Sequence, residues 1–424
     1  MYGRRDLVDS HLFLRGRLTA AVLRIDPDSP EQPLRRNDVG MKIGIAVALV
    51  VALIVAVLNI FLFTVNDVWR NTPSALILDE STGTRYFMVD ETLHPVLNLT
   101  SAALFLGAPP ELIKVSPEDI AGVPRGEGIG KAGLPDSLPS SSSTTAVWTA
   151  CAADDGAALN VAPRSDAAEM SHDEAVLVSA GDELHLIWND SRLRIADDWV
   201  ARALGFEPND ARDVAPAFLN TIPSGADLDL SALTLGGEGP LIAGEESTLG
   251  QLIEVSGAQS SDNTYVVTAD GLMHVTDTVD ALLRAAPDSD LPDPRVISPR
   301  ALTTATVVET AAWQDQLPTT IPIPLDDHVT PCSIWNDGEI VSGSVSGRSL
   351  SEAVVVAPGS GLLAATASAP GVHGAGLYLV SDAGTKYPVA NAATATALGL
   401  DAASSPAIPE DFLALLPTGP LIAQ

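Results

Sequence analysis

One segment limits what this chain can fold into: residues 41–63, with the sequence MKIGIAVALVVALIVAVLNIFLF. Its only strongly polar side chains are Lys42 and Asn59. A helix of about 20 apolar residues crosses the roughly 30 Å hydrocarbon core of a bilayer. We therefore predict a transmembrane helix over 41–65. The alternatives fit less well, because soluble core helices are seldom so uniformly aliphatic, and signal peptides have shorter apolar cores that lie nearer the N-terminus.

The charges on the two sides of this segment predict its orientation. Residues 1–42 carry eight Lys and Arg against six Asp and Glu, whereas the residues after the segment carry 15 against 48. Basic residues beside a span mark its cytoplasmic side. We expect a single-pass plasma-membrane protein with residues 1–40 in the cytoplasm and the acidic remainder outside. The net charge of −31 argues against nucleic acid as a partner, because phosphates require a basic surface.

The cytoplasmic part has its own periodic pattern at 11–26. Leu14, Leu18, Val22 and Ile25 recur at helical spacing, with arginines between them. This spacing predicts an amphipathic helix. Such a helix either docks onto a partner or the membrane surface, or stays unpartnered beside the membrane.

Beyond the predicted span, four stretches repeat one pattern of strand, tight turn, strand and capped helix. The turns carry Gly, Asn or Asp, which tolerate the positive φ angles of hairpins. The resulting β-β-α modules cover residues 74–107, 182–206, 263–284 and 376–400. One strand position is taken as equivalent in all four: Tyr86, Leu193, Met273 and Tyr387. The expected helix N-caps are Asn98, Asp197, Asp277 and Asn391.

Both cysteines lie in segments between these modules, at 108–181 and 300–375. Trp148 precedes Cys151 by three residues, and Trp335 follows Cys332 by three. Because disulfides persist outside the cytoplasm, we predict a Cys151–Cys332 bridge, with two unrelated buried thiols as the alternative.

This bridge unites the two segments in one central β-rich domain. The second and third modules are then inserted between its halves, the first and fourth flank it near each other, and residues 401–424 form a C-terminal tail. The expected fold class is α+β.

The sequence contains no recognisable catalytic or metal-binding motif. In GVPRGEGIGKAGLPDSLP, residues 122–139, glycines precede Lys131, but Arg125 and Ala132 replace a glycine and the hydroxyl residue of a P-loop. GSVSG at 343–347 has Val345 where a nucleophile elbow needs serine. The histidines are scattered, and DDH at 326–328 lacks the ligand series of an EF-hand. We expect no catalytic residue, no cofactor and no metal ion.

Several stretches, in their order along the chain, resemble the EccB family, the single-pass membrane component of actinobacterial type VII (ESX) secretion systems. The stretches that carry the resemblance are FLRGRLTAAVLRID at 13–26, HPVLNLTSAALFLG at 94–107, GVPRG and GLPDSLP within 122–139, the Trp148/Cys151 and Cys332/Trp335 elements, GLYLVSDAGTKYPV at 376–389 and LLPTGPL at 415–421. The third module departs from the pattern, because it lacks the closing Leu-Gly of the others.

The resemblance implies a structural subunit that scaffolds the extracytoplasmic side of the secretion membrane complex. The implied partners are the EccC motor ATPase, EccD, EccE, the mycosin protease and a second copy of the chain. The alternative is a membrane-anchored protein that binds or senses peptidoglycan outside any secretion complex. ATPase activity is attributed to the family, but no nucleotide motif carries it here, so the enzyme question stays open.

Overall fold

The structure is a computed structural model that describes residues 3–24, 35–62, 67–72, 74–140, 146–154, 156–257, 263–287, 291–347, 353–369 and 372–424. The chain divides into two compact units. The first comprises residues 1–73 and 115–122, and the second comprises residues 74–114 and 123–424.

The secondary structure of the described residues is mixed α and β, with a β-rich second unit. The α-helices are α1 (Arg4–Arg24), α2 (Arg35–Leu62), α3 (Leu99–Leu106), α4 (Pro117–Ile120), α5 (Asp198–Ala203), α6 (Pro216–Leu219), α7 (Asp277–Ala285), α8 (Pro299–Leu302), α9 (Ala392–Ala397) and α10 (Glu410–Ala414). The β-strands are β1 (Ala75–Asp79), β2 (Arg85–Val89), β3 (Thr92–Pro95), β4 (Glu111–Val115), β5 (Val147–Ala153), β6 (Gly156–Ala162), β7 (Ala168–Glu169), β8 (Glu174–Ala180), β9 (Glu183–Trp188), β10 (Ser191–Ile195), β11 (Arg212–Asp213), β12 (Leu252–Val255), β13 (Thr264–Thr268), β14 (Gly271–His274), β15 (Arg295–Ile297), β16 (Val307–Val308), β17 (Ile323–Pro324), β18 (Val329–Asn336), β19 (Glu339–Ser346), β20 (Val354–Val356), β21 (Leu362–Ala369), β22 (Val372–Val380), β23 (Lys386–Val389) and β24 (Ala407–Pro409).

The first unit contains the apolar helix. Within α2, the 20 residues Val39–Leu58 are long and apolar enough to cross a membrane, and the stretch is exposed along its length. It starts two residues before the predicted span of 41–65. The last residues of that span, 63–65, lie outside the described residues. The helix predicted at 11–26 is longer at its N-terminal end, because α1 begins at Arg4.

The exposed apolar surface of α1 is wider than the predicted stripe. Leu14 and Leu18 are exposed as expected, but so are Leu12 and Phe13, which lie outside that stripe. The helix is therefore less strictly amphipathic than its sequence spacing indicates. Ile25 lies outside the described residues.

Four sheets of the second unit share one topology, and we call them sheets A to D. Each begins with a three-stranded meander, continues through a helix, and places the next strand beside the first strand of the meander. The strand orders are β3-β2-β1-β4 in sheet A, β10-β9-β8-β11 in sheet B with β17 also on β8, β16-β14-β13-β12-β15 in sheet C, and β23-β22-β21-β24 in sheet D.

Each meander has three strands before its helix, whereas the sequence predicted two. The extra strands of sheets B and D are β8 and β21, which lie in stretches assigned from the sequence to the central domain. Pairing with β9 and β22 moves them out of that domain. The same correction applies to β16 and β17, which pair with sheets C and B.

In every sheet, a later segment runs parallel to the third strand of the meander. The backbone N–H groups of Leu93, Arg192, Leu272 and Lys386 donate to the carbonyls of Pro124, Pro223, Thr306 and Pro417. The residues after these donors are therefore equivalent: His94, Leu193, Met273 and Tyr387. The expected equivalence of Tyr86 is wrong, because Tyr86 lies in the second strand, β2.

Glycine allows this parallel segment to approach the third strand closely. A Cβ atom at Gly126, Gly225 or Gly419 would overlap the side chain of His94, Leu193 or Tyr387. A larger residue would therefore push the segment away from the sheet. In sheet C the equivalent of these glycines is Val308.

The predicted helix caps are partly correct. Asn98 and Asn391 accept hydrogen bonds from the N–H groups of Ser101 and Thr394, each at 2.8 Å. Asp197 occupies the N-cap position of α5, but its side chain makes no capping bond there. The expectation for Asp277 is wrong, because Thr276 caps α7 and leaves Asp277 as its first residue.

A central sheet joins the two segments that carry the cysteines. Its order is β20-β6-β5-β18-β19-β7, so strands from residues 147–169 and 329–356 pair within one sheet. The residues of sheets B and C lie between these two chain segments.

Apolar contacts join neighbouring sheets within the second unit. Sheets B and C share one core, which includes Leu186, Leu193, Met273 and Leu282. Sheets A and D share another, in which Ala103 of α3 meets residues of sheet D. Sheets A and D therefore lie next to each other. The central sheet packs against both sheet B and sheet D.

Candidate functional site

The disulfide between Cys151 and Cys332 lies in the middle of the central sheet. The two residues stand directly opposite each other on the antiparallel strands β5 and β18, with their Cα atoms 3.9 Å apart. Both cysteines are buried. The bridge therefore links the two chain segments at the point where their strands pair.

The same strand register that pairs the two cysteines also pairs the two tryptophans. Trp148 and Trp335 are also directly opposite each other on β5 and β18. In an antiparallel pair, residue numbers on one strand rise as those on the other fall, so mirrored W-x-x-C and C-x-x-W spacing aligns both pairs at once. This mirrored spacing is visible in the sequence and indicates the strand register, although our prediction of the disulfide did not use it.

The tryptophans occupy the opposite face of the sheet from the cysteines. Side chains alternate between the faces of a strand, so a spacing of three residues reverses the face. Trp148 is fully buried, and Trp335 packs with it in the core shared with Phe412 and Leu413 of α10, the helix that follows sheet D.

A cleft of about 850 Å³ opens beside Trp335, between the central sheet and its two neighbours. Trp335 and Ile340 contribute from the central sheet, the segment around Asp190 from sheet B, and the segment around Ala407 from sheet D. Three parts of the chain that are distant in sequence therefore meet at one surface.

The β9–β10 turn fixes one side of this cleft. Asn189 and Asp190 adopt positive φ angles of 44° and 62°, as a tight two-residue hairpin requires. The turn brings the Asp190 carboxylate to the central sheet, where its Oδ1 accepts a hydrogen bond from the Ser342 N–H at 2.5 Å. Nearby, the Ser333 hydroxyl donates to the Thr221 carbonyl at 3.0 Å.

The cleft is acidic. Its lining residues include the carboxylates of Asp190, Glu339, Glu410 and Asp411 and no lysine, arginine or histidine. Like charges repel more strongly near a low-dielectric protein surface than in bulk water. A cleft with this lining disfavours phosphate groups and favours cations.

The glycine-rich segment before Lys131 has a packing role. Gly126 lies against His94, and Gly130 lies against Ser101. The Lys131 ammonium donates to the carbonyl of Leu421 at 3.0 Å, and the Asn98 amide donates to the Lys131 carbonyl at 2.8 Å. Lys131 therefore ties sheet A to the C-terminal segment of sheet D.

The other candidate motifs, GSVSG at 343–347 and DDH at 326–328, take part in strand pairing and in a local turn. The GSVSG segment belongs to β19 and the loop that follows it, and Ser344 pairs with Pro331 and Ala168. The Asp326 side chain accepts from the His328 N–H at 2.7 Å, which is a local turn interaction. Among the residues that the structure describes, no group of three or more His, Cys, Asp and Glu could hold a metal ion.

The groups of the second unit with shifted pKa values include His185 and Asp79. Burial lowers the pKa of His185, and the nearby Arg192 and Arg194 lower it further against the opposing effect of Glu183. Hydrogen bonds from the side chain and backbone of Ser81 lower the pKa of Asp79. His185 lies in β9, away from the residues that line the cleft.

Comparison with known proteins identifies the family. Residues 2–424 match the family described as "Type VII secretion system ESX-1, transport TM domain B". The chain belongs to the EccB family. The predicted resemblance is confirmed.

Similar EccB proteins include the "ESX-3 secretion system ATPase EccB3" of Mycolicibacterium smegmatis, which is 28% identical, with 99% of this chain and 89% of the relative covered. The EccB3 of Mycobacterium tuberculosis strain H37Rv is 26% identical with the same coverage. The "ESX-1 secretion system ATPase EccB1" of that strain is 26% identical over 97% of this chain and 91% of the relative.

Solved structures with the same fold come from ESX complexes. The structure titled "periplasmic assembly from the ESX-5 inner membrane complex" matches with a TM-score of 0.66 and 25% identity, over 83% of this chain and 94% of that chain. The "EccB3 dimer from the ESX-3 core complex" matches with a TM-score of 0.62 and 25% identity, over 82% and 98%. A chain of the intact ESX-5 inner membrane complex shares the fold with a TM-score of 0.67 over the full length of this chain.

Proposed function

We propose that this EccB chain is a structural subunit of a type VII secretion membrane complex and scaffolds its extracytoplasmic side. The supporting observation is the family match over residues 2–424, which covers both the apolar helix and the β-rich unit. The similarity of this chain, over 83% of its length, to the ESX-5 periplasmic assembly supports the same role.

The physical properties of the two units fit a scaffold better than a channel. The Val39–Leu58 helix presents aliphatic side chains, which suit lipid or another apolar helix and cannot line a polar pore alone. Other subunits must therefore form the transport path. The second unit contributes a large folded surface for contacts.

The proposed orientation places the N-terminus in the cytoplasm and the second unit outside. The basic residues of 1–42 support this orientation, as does the disulfide of the second unit, because disulfides persist in oxidising compartments. An impermeant maleimide tests it in intact cells. A new cysteine at the exposed Ala312 (Ala312→Cys) should be labelled, whereas Ser10→Cys should react only after permeabilisation. The reverse pattern contradicts the orientation.

The proposed partners are a second copy of the chain, the EccC motor ATPase, EccD, EccE and the mycosin protease. The dimer of the similar EccB3 protein supports self-association. We also propose that sheets A to D, with their helices, are four copies of one structural unit, because their strand order and return segments agree.

Extraction in mild detergent followed by native electrophoresis tests the scaffold role. The tagged full chain should migrate in a large complex that contains an FtsK-like ATPase. A matched variant, in which an unrelated transmembrane helix replaces Val39–Leu58, shows whether this helix contributes specific contacts. A lone chain that is retained on purified cell-wall sacculi contradicts the proposal and supports peptidoglycan binding instead.

ATP hydrolysis is a second candidate activity, because the similar proteins carry the word ATPase in their names. Lys131 lies in the only stretch that invited a nucleotide interpretation, yet its ammonium donates to the Leu421 carbonyl. We expect Lys131→Ala to leave any turnover by the purified full chain unchanged. Absence of turnover in the wild-type chain removes this candidate.

A further inference from the structure

The acidic cleft contains a sheet edge that is open at one position. On β19, the Ser342 N–H donates to Asp190, and the Ser342 carbonyl accepts from the Met170 N–H, so both groups point away from β18. Residues two apart on a strand point their backbone groups in the same direction. The N–H and C=O of Ile340 therefore also point away from β18, toward the cleft.

In the part of the chain that the structure describes, no strand covers this edge at Ile340. The short strand β7 pairs with β19 only at Gly343 and Ser344. The Asp190 carboxylate occupies the next position, at Ser342. Ile340 is half-buried and lines the cleft, so its backbone groups lie at the surface of a concave site.

The facing wall offers a second open edge, on β24 of sheet D. The Pro406 carbonyl accepts from the Ala365 N–H, and β24 runs parallel to β21 with Ala407 opposite Ala365. In this parallel pattern, the N–H and C=O of Ala407 point away from β21. Ala407 also lines the cleft, and β24 is the outermost strand of its sheet among the described residues.

The charge at these edges selects the kind of partner. Glu339 adjoins Ile340, and Glu410 and Asp411 directly follow β24, so carboxylates flank both open edges. All three side chains belong to exposed residues, and the lining contains no basic side chain to neutralise them. A bound segment that brings lysine or arginine complements this charge.

We propose that this cleft binds an extended, basic peptide segment of another protein by strand addition. The segment pairs its backbone with the open edges at Ile340 and Ala407. Its apolar side chains contact Trp335 and Ile340, and its lysines or arginines reach the carboxylates of Glu339, Glu410 and Asp411. Strand addition of this kind gains affinity from the backbone and specificity from alternate side chains. The inference does not depend on the secretion role.

Three synthetic peptides of equal length test the proposal with the purified full chain in detergent. The first alternates lysine and valine, the second alternates glutamate and valine, and the third is the lysine peptide with alternate backbone nitrogens methylated. Fluorescence anisotropy should show saturable binding of the lysine peptide that weakens with added salt. The glutamate and N-methylated peptides should each bind at least about tenfold more weakly, since one lacks charge complementarity and the other cannot pair its backbone.

A charge-reversed variant locates the binding site. Glu410→Lys with Asp411→Lys should weaken binding of the lysine peptide by at least about tenfold. The matched control, Asp270→Lys with Glu309→Lys, reverses two exposed carboxylates of the second unit outside the cleft and should change affinity less than about twofold. Because Glu410 and Asp411 begin α10, the neutral pair Glu410→Gln and Asp411→Asn provides a milder version with an intermediate effect.

Specific outcomes overturn the inference. No saturable binding of the lysine peptide below about 1 mM does so, as does equal binding of the glutamate peptide. Equal binding of the N-methylated peptide rejects strand pairing. An equal loss of affinity in the Asp270 and Glu309 control assigns binding to the general acidity of the chain and not to the cleft.

Discussion

Sheets B and C are joined in a different way from sheets A and D. The helices α5 and α7 pack together between sheets B and C, with Val200, Val279 and Leu282 fully buried in a large aliphatic core. Between sheets A and D, the helices α3 and α9 meet, and the buried residues there include Ala103 and Ala395. Large side chains therefore lie between α5 and α7, whereas α3 and α9 approach each other through small ones.

The order of the chain explains this difference. Sheets B and C follow each other between residues 174 and 308, so they are neighbours along the chain and residues 214–251 connect them. Sheets A and D lie near opposite ends of the second unit and also use polar contacts, such as the hydrogen bond from Lys131 to Leu421. The contact between sheets A and D therefore adds close helix packing and hydrogen bonds to a shared apolar core.

The largest expected effect comes from removing the disulfide. The bridge closes a loop with a sequence separation of 181 residues, and this loop contains sheets B and C but neither A nor D. Loop-entropy estimates give roughly 5 kcal/mol for such a loop. We expect Cys151→Ala with Cys332→Ala to lower Tm more than any single core substitution, as measured by differential scanning fluorimetry of the full chain.

Reduced wild-type chain is the control for this variant and should show a similar loss. Hydrogen exchange should increase first at β5 and β18, where the two segments pair. An unchanged Tm in the double variant would mean that apolar contacts alone hold the inserted pair in place.

Truncation of a large core residue should affect sheets B and C strongly. Leu282 is fully buried on α7. Leu282→Ala removes buried apolar area and leaves a cavity, with an expected loss of about 2–5 kcal/mol from the free energy of unfolding. The matched control is Leu241→Ala, because Leu241 is 68% exposed and the same change should have little effect. Equal Tm values for the two variants would contradict the assigned core.

Enlargement of a small residue should instead disrupt sheets A and D. Ala395 of α9 is fully buried in the core that these sheets share. Ala395→Leu overfills this contact and should cost about 1–3 kcal/mol in stability. Ala393→Leu, on the exposed side of the same helix, controls for the added volume. If both variants unfold at the same denaturant concentration, α3 and α9 are not closely packed.

A smaller effect is expected from the hydrogen bond that links sheet A to the C-terminal segment. Lys131→Met keeps most of the aliphatic length and removes the donor to Leu421, which should cost about 0.5–1.5 kcal/mol. Lys114→Met, at an exposed lysine of β4, is the matched control. Hydrogen exchange near Leu421 should increase in the first variant alone.

The sequence predicted the features that depend on local composition. The apolar helix, the Asn98 and Asn391 caps and the Cys151–Cys332 pair all follow from short stretches. The hairpin that separates β2 from β3 was missed, because its turn residues Asp90 and Glu91 take positive φ angles without glycine. The alignment of Tyr86 with Tyr387 was also wrong, since the two residues lie in non-equivalent strands, β2 and β23.

The cleft could not be predicted in the same way. Asp190, Trp335 and Ala407 are far apart in sequence and meet only because sheets B and D pack on the central sheet. Open strand edges depend on register, which the sequence alone did not specify. The mirrored tryptophan and cysteine spacing was the one available signal of register, and it locates Trp335 opposite Trp148 but says nothing of Ala407.

The smallest expected effect is a pH dependence confined to sheet B. Burial and two arginines lower the pKa of His185 below its ordinary value of 6.5, so the unfolded chain takes up this proton at a higher pH than the folded chain does. The contribution of His185 therefore favours the folded state above that ordinary value and is lost progressively as pH falls through the window below it.

His185→Leu removes the proton uptake and should reduce the fall in Tm between about pH 7 and about pH 5.5. His328→Leu, at an exposed histidine, is the matched control for the loss of an imidazole. In acid, hydrogen exchange of the wild-type chain should increase in β9 and its neighbours before it increases in sheet D. The result that contradicts this prediction is hydrogen exchange that increases at the same pH in sheets B and D, in the wild-type chain and in the variant alike. Protonation of His185 would then not destabilise sheet B selectively.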